Sequence, residues 1–281
     1  VFFNISDAKS LNGFAVPTAT DIAFAYGMIS LFGKRIPTSL KVFLVALAVL
    51  DDLMAILIIA FFYTQNFSPE YLLYGLVPII GMTFLNLKNS NKTSLYLILG
   101  VILWIMVLKS GIHATLAGVV TALFIPLNIK GEDVLHNLAK RISPMVNFLI
   151  LPTFAFANAG VRIEEFSLEL LLQPIVLGVI CGLFFGKQIG VMLLAIIMVK
   201  LKLASIPKGS NWLEFYGAAI FTGIGFTMSL FIGGLAFIDN YEAYNQVKIG
   251  VLIGSVLSMF YGLLICYLGT YVFDNLKRHH E

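Results

Sequence analysis

The chain consists of long apolar runs separated by short polar connections. A helix that crosses a membrane needs ~20 mostly apolar residues, and stretches of ~17–25 are common. The pattern therefore predicts nine spans, several of them short or interrupted by polar residues. The predicted spans are Phe14–Phe32, Leu40–Tyr63, Tyr71–Leu87, Thr93–Leu108, Ile112–Leu127, Pro144–Gly160, Leu171–Val199, Trp212–Ile238 and Val247–Val272. The opening residues VFFN are typical of the end of another apolar segment, so we expect the sequence to start within a further span.

Composition agrees with this pattern. Hydrophobic residues make up 59% of the 281 positions and charged residues 12%, whereas soluble domains carry about 25% charged residues. One soluble core could not bury that much apolar surface, so we predict an all-α, polytopic membrane protein whose outer surface faces lipid. Both cysteines, Cys181 and Cys266, lie in apolar runs and indicate neither a disulfide framework nor a zinc site.

Lysine and arginine are concentrated in alternate connections. The first, third, fifth and seventh connections are basic, as is the tail after the last span, whereas the remaining connections are short or carry acidic residues. The positive-inside rule then predicts a cytoplasmic C-terminus, with residue 1 on the outside. The basic residues form no patch interleaved with aromatic side chains, so we expect no nucleic-acid partner.

Four ionisable residues lie well inside predicted spans: Asp21, Asp51, Asp52 and Lys187. Charges at this depth are costly and are functional candidates by default. A single aspartate–lysine pair could simply hold two helices together. Three acids against one base, however, leave about two carboxylates that must be protonated or bind a cation, which favours cation–proton exchange. Adjacent helical residues point ~100° apart, so one of the paired aspartates would face Lys187 and the other the transported ion.

The first predicted span is interrupted close to Asp21. Pro17 removes a helical hydrogen bond there, and Thr18 and Thr20 offer other partners to the freed backbone groups. Irregular backbone at membrane depth is tolerated only inside protein or beside a watery cavity. The stretch is therefore predicted to be a broken helix within the protein.

The eighth predicted span is interrupted in the same way by the stretch GIGFTMS, which contains Gly223, Gly225 and Thr227. Taken alone, the two glycines could equally serve close helix packing. Two broken spans in corresponding halves favour an inverted-repeat antiporter fold whose ion site lies where the broken helices cross. Asp21 would then offset the positive ends of the half-helices, and Lys187 the negative ends.

On this interpretation the chain has three parts. Residues 1–65 form the first part of the core bundle that carries the ion site. Residues 66–170 supply the interface, or panel, helices. Residues 171–281 complete the core bundle and contain the second broken helix.

Six stretches closely resemble, in order, the NhaA family of bacterial sodium/proton antiporters. They are VPTATDIAFA (16–25), VFLVALAVLDDL (42–53), LKSGIHATLAG (108–118), LPTFAFANAG (151–160), FFGKQIG (184–190) and GIGFTMSLFI (223–232). This family is itself an established example of an inverted-repeat transporter with broken helices. The resemblance covers nearly the whole chain and places Val1–Asn4 at the end of the third family helix, which implies an N-terminally truncated member.

The resemblance implies a role for each charged residue at membrane depth. Asp52 would be the main carrier of Na⁺, Li⁺ and protons, and Asp51 the partner of Lys187, with both carboxylates placed to ligate the transported Na⁺. Thr20 would lie near the ion at the crossing. Asp21 would compensate the helix dipoles.

The implied activity is electrogenic, pH-regulated export of Na⁺ or Li⁺ in exchange for protons, across the bacterial inner membrane. Such a protein is a transporter rather than an enzyme, needs no cofactor, and is compatible with a homodimer. One stretch departs from the family. NLAKRISP (137–144) lacks the acidic and histidine residues that better-known members carry before the corresponding motif, so the resemblance predicts the ion site but not the pH profile.

Three other classes of protein are alternatives. A sodium-coupled solute symporter of related architecture is the main alternative, and transport of an organic substrate would distinguish it. An intramembrane aspartyl protease needs its aspartates on separate helices and a G-x-G-D type motif, where this chain has Phe226 in the last position. A passive cation channel has little use for Lys187 at the depth of the carboxylates.

Overall fold

A computed structural model describes residues 11–64, 67–160 and 168–278 of the chain. Within these residues the regular structure is helical, apart from one isolated bridge between Ile129 and Glu132. Five helices are long and apolar enough to cross a membrane: Thr38–Phe62, Pro69–Leu87, Pro174–Lys200, Trp212–Ala236 and Tyr241–Tyr271. Two shorter apolar helices accompany them. The predicted all-α membrane fold is confirmed.

The helices are numbered here in chain order. The first half contains a 3₁₀ helix at Asn12–Thr18 and helices α1 Ile22–Ser30, α2 Thr38–Phe62, α3 Pro69–Tyr74, α4 Leu76–Leu87, α5 Thr93–Lys109 and α6 Thr115–Phe124. The second half contains α7 Val134–Met145, a π turn at Val146–Ile150, α8 Leu151–Asn158, α9 Leu168–Leu171, α10 Pro174–Cys181, a π turn at Gly182–Gly186, α11 Lys187–Lys200, α12 Trp212–Phe221, α13 Phe226–Ala236 and α14 Tyr241–Arg278.

These elements form two compact units. The first comprises the residues up to 55 together with those from 154 onward, and the second comprises residues 56–153. Within the first unit, α1, α2, α12 and α14 bury a common apolar cluster that includes Ile29, Leu44, Phe221 and Cys266. The second unit has its own cluster around Tyr96. The three-part division drawn from the sequence stays a prediction.

Both predicted interruptions are present in the structure. The first span is a 3₁₀ helix that ends at Thr18, followed by extended backbone and then α1. The eighth span divides into α12 and α13 around Gly223 and Gly225. Proline and glycine break the helices here because each removes or weakens the regular backbone hydrogen bonding.

The predicted boundaries of two spans are wrong. The sixth was expected to start at Pro144, but helical structure continues without a gap from Val134 to Asn158 and contains this proline. The first turns of α7 contain too many polar residues to be recognised in the sequence as part of an apolar run. The last span was expected at Val247–Val272, whereas α14 extends beyond both ends because polar residues continue the helix outside the apolar stretch.

Helices α12 and α14 pack closely at Gly217, which predicts an effect of adding a side chain there. A methyl group at this position would meet the Cys266 sulfur and lie 3.1 Å from its backbone nitrogen. We expect Gly217→Ala to destabilise the protein by about 1–3 kcal/mol, because the neighbouring backbone cannot give way easily. The midpoint of thermal unfolding in detergent measures the effect. Gly27→Ala is the matched control, since a methyl group there meets nothing within 4 Å; equal midpoints for the two variants would contradict the packing argument.

Candidate functional site

The two broken helices meet at their interruptions. The Asp21 N–H donates a hydrogen bond to the Ile224 carbonyl, at 2.6 Å. The second interruption also lies close to neighbouring helices, because a side chain at Gly223 would meet the Leu183 carbonyl and the Ser258 hydroxyl. Glycine is therefore required there for close backbone approach rather than for an unusual dihedral angle.

The Asp21 carboxylate lies at the N-terminal ends of both following half-helices. One oxygen accepts from the Phe24 N–H of α1 at 3.2 Å. The other accepts from the Thr227 N–H at 3.0 Å and from its hydroxyl at 2.6 Å, in the first turn of α13. Each helix N-terminus carries roughly half a positive charge, so the buried Asp21 carboxylate is compensated by two helix ends and three hydrogen bonds.

Lys187 is the first residue of α11 and reaches back to the first interruption. Its ammonium group lies 2.5 Å from the Asp51 carboxylate and 3.1 Å from the Thr20 hydroxyl, and it also donates to the Thr18 carbonyl. The Thr18 carbonyl is at the C-terminal end of the 3₁₀ helix, where the backbone presents partial negative charge. Lys187 therefore neutralises Asp51 and a half-helix end together.

The buried Thr20 hydroxyl joins the two interruptions. It lies 2.8 Å from the Asp51 carboxylate and 2.9 Å from the Thr222 carbonyl, which is at the end of α12. A hydroxyl has one proton, so Thr20 can donate to one of these acceptors at a time while it accepts from Lys187. The same side chain thus contacts the ion pair and the second broken helix.

Asp52 differs from the other two carboxylates. Its Oδ1 atom is buried and has no hydrogen-bond partner among the described residues. The side chain interacts electrostatically with Asp21, Asp51 and Lys187, two of which repel it. A buried carboxylate oxygen without a partner is unfavourable unless a proton or a cation occupies the position next to it.

The other residues predicted for the two interruptions lie at or next to them. Pro17 lies inside the 3₁₀ helix, one residue before its end, and Thr227 lies in the first turn of α13. Gly225 is the residue that precedes α13. Thr227 contributes two hydrogen-bond donors to Asp21.

Two serines support the crossing: Ser229, at the end of the stretch GIGFTMS, and Ser255, which sequence reasoning missed. The Ser229 hydroxyl donates to the Val16 carbonyl at 2.7 Å, and the Ser255 hydroxyl accepts from the Phe226 N–H at 3.2 Å. Both satisfy backbone groups that the interruptions leave without helical partners. The only available signal for Ser255 was a small polar residue inside an apolar run, which is too common in membrane helices to single out a site.

The oxygen atoms of Asp52, Asp51 and Thr20 could hold a small hard cation at this crossing. Among the residues that the structure describes, no group of three or more histidine, cysteine, aspartate or glutamate side chains is placed so that it could hold a metal ion. Two broken helices that cross at buried carboxylates define a secondary transporter for cations.

The comparisons with known proteins agree with this class. The family model described as Na⁺/H⁺ antiporter 1 matches residues 1–266. The chain is 53% identical over 267 residues to the Na⁺/H⁺ antiporter NhaA of Pelagibacter ubique (strain HTCC1062), with 94% of this chain and 68% of the relative covered. It is 49% identical over 270 residues to NhaA of Campylobacter curvus (strain 525.92), with 95% and 68% covered. It is 50% identical over 268 residues to NhaA 2 of Pseudomonas syringae pv. syringae (strain B728a), with 94% and 68% covered.

The chain belongs to the NhaA family of Na⁺/H⁺ antiporters. It is a multi-pass membrane protein of a transporter family, and the ions that the family exchanges are Na⁺ and H⁺. The symporter alternative is not favoured, because the relatives named above are all Na⁺/H⁺ antiporters.

Proposed function

We propose that Na⁺ and protons compete for Asp52, and that this competition at one site couples their opposite movements. The proposal rests on the buried Oδ1 atom of Asp52, which has no hydrogen-bond partner in the described part of the chain. Asp51 and Asp21, by contrast, each have cationic or helix-end partners. Asp52 is thus the carboxylate of the site whose charge is available to bind the transported ion.

Alternating exposure of this site to the two sides of the membrane then gives exchange. An empty, charged site is costly at membrane depth, so the forms loaded with Na⁺ or with protons are those that reorient. Electrogenic exchange, with more than one proton for each Na⁺, requires a second titrating group. Lys187 is the candidate, because its ammonium group contacts Asp51 beside Asp52. Li⁺ is expected to replace Na⁺, since it is also a small hard cation.

The proposal extends to the setting of the protein. The C-terminus lies in the cytoplasm, because the basic connections alternate as the positive-inside rule requires. The membrane is the bacterial inner membrane. The protein works as a transporter without enzymatic activity or a cofactor, and a homodimer is compatible with the family.

Proton release on addition of Na⁺ tests the competition directly. We expect Na⁺ to release protons from the purified, weakly buffered protein, because the cation displaces the proton held at Asp52. K⁺ at the same concentration is the control for ionic strength. The proposal would be contradicted if Na⁺ released no protons at any pH from neutral to alkaline. It would also be contradicted if Asp52→Asn released as many protons as the parent.

A further inference from the structure

The residue that follows Lys187 forms a second polar contact. Gln188 is 4% exposed; its Nε2 atom donates to the Phe184 carbonyl at 2.5 Å and its Oε1 atom accepts from the Tyr216 hydroxyl at 2.6 Å. A backbone carbonyl can only accept, so the amide group is fixed in this orientation. Gln188 therefore connects the π turn before Lys187 to helix α12.

The π turn determines where Lys187 points. The Lys187 N–H bonds to the Gly182 carbonyl, five residues back, whereas an α-helix bonds four residues back. One additional residue in a turn rotates the following helix by about 100°. The direction of the Lys187 side chain thus depends on this turn, and the Gln188 side chain binds one of its carbonyls.

Aromatic packing from α14 supports the same contact. The ring of Tyr261 lies 5.5 Å from the ring of Phe184 and 6.4 Å from the ring of Tyr216, measured between centroids. Phe184 belongs to the π turn and Tyr216 to α12. Tyr261 therefore packs against both ends of the Gln188 bridge.

Helix α12 reaches Lys187 by two separate routes. At its end, the Thr222 carbonyl contacts Thr20, whose hydroxyl contacts the Lys187 ammonium group. Six residues earlier, or about 9 Å along the helix, Tyr216 binds Gln188. The first route holds the tip of the Lys187 side chain, and the second holds the backbone next to Lys187.

We propose that Gln188 and Tyr216 are positioning residues that hold the π turn, and with it the Lys187 ammonium group, against Asp51. The inference rests on the proposed function, in which the Lys187–Asp51 pair leaves Asp52 free for Na⁺. Neither residue touches the ion, and both act through the geometry of Lys187.

Kinetics of exchange in everted vesicles test this role. Gln188→Met keeps the length of the side chain and removes both hydrogen bonds, and Tyr216→Phe removes one hydroxyl. We expect each variant to raise the KM for Na⁺ about fivefold, because loss of either hydrogen bond breaks the same bridge and an effect of this size matches one hydrogen bond. The maximal rate should stay within about twofold of the parent. The double variant should resemble the more affected single variant, because both break one bridge. Tyr267→Phe is the control, since its side chain is 54% exposed.

The outcomes separate this inference from the proposed function. The positioning role is overturned if Tyr216→Phe leaves the KM for Na⁺ unchanged or alters only the melting temperature. In that case an inactive Asp52→Asn in the same vesicles still supports the proposed function. Exchange that persists in Asp52→Asn overturns the proposed function, whatever Gln188→Met does. If Gln188→Met is not recovered as folded protein, Tyr216→Phe decides the inference by itself.

Discussion

Asp52→Asn is expected to abolish Na⁺-driven proton movement in everted membrane vesicles, with a loss of at least ~100-fold. The amide neither carries a proton that Na⁺ can displace nor provides the charge that attracts the cation. A 100-fold loss corresponds to ~2.8 kcal/mol, which is within the range of a lost contact between an ion and a charged group. Collapse of an imposed proton gradient on addition of Na⁺ or Li⁺ is the measurement.

Two variants control for the loss of one acidic group. Asp239→Asn removes an aspartate from the exposed connection after α13 and should leave exchange unchanged. Asp52→Glu keeps the charge and should retain a measurable part of the activity. Robust exchange in Asp52→Asn, with folded protein present at the parent level, would refute the assignment of Asp52 as the ion carrier.

Breaking the Lys187–Asp51 pair has the largest expected effect on stability. The side chains are 11% and 26% exposed, and removal of one partner from a buried pair costs about 3–5 kcal/mol. Because the Asp51 side chain is only partly buried, we expect Lys187→Met and Asp51→Asn to lie near the lower end of that range. In Asp51→Asn the melting temperature should fall more, in relative terms, than the rate of exchange. The reason is that the Thr20 hydroxyl and the Thr18 carbonyl still bind the Lys187 ammonium group.

A double variant tests whether the loss comes from the pair itself. Asp51→Asn combined with Lys187→Met should be more stable than the sum of the two single losses predicts, because no unpaired charge is left. Asp52→Asn should not lower the melting temperature, since it removes a carboxylate whose buried oxygen lacks a partner among the described residues. Additive losses in the double variant would show that the contact contributes little.

The sequence predicted which residues lie at the crossing better than it predicted their contacts. Charges within apolar runs, and proline and glycine at mid-span, identified Asp21, Lys187 and both interruptions, because charge burial and helix breaking are local properties. Whether Asp51 or Asp52 pairs with Lys187 could not be decided from the residues, because the rotation of α2 about its axis depends on packing between distant segments.

The π turns were not predictable for a related reason. GLFFG before Lys187 has no residue that excludes an α-helix, and the additional residue is accommodated by tertiary contacts such as those of Gln188 and Tyr216. The start of α7 at Val134 was missed because hydropathy identifies the membrane-embedded part of a helix and not its polar extension.

The contact between Asp21 and Thr227 joins residues that are 206 positions apart. At a synthesis rate of ~5–20 residues per second, about 10–40 s separate the appearance of the two residues on the ribosome. Asp21 is therefore synthesised long before the half-helix that donates hydrogen bonds to it, and Asp51 is synthesised before its partner Lys187. The crossing of the two broken helices can form only after α13 has been made. Assembly of the site is thus one of the last steps in the biogenesis of this antiporter.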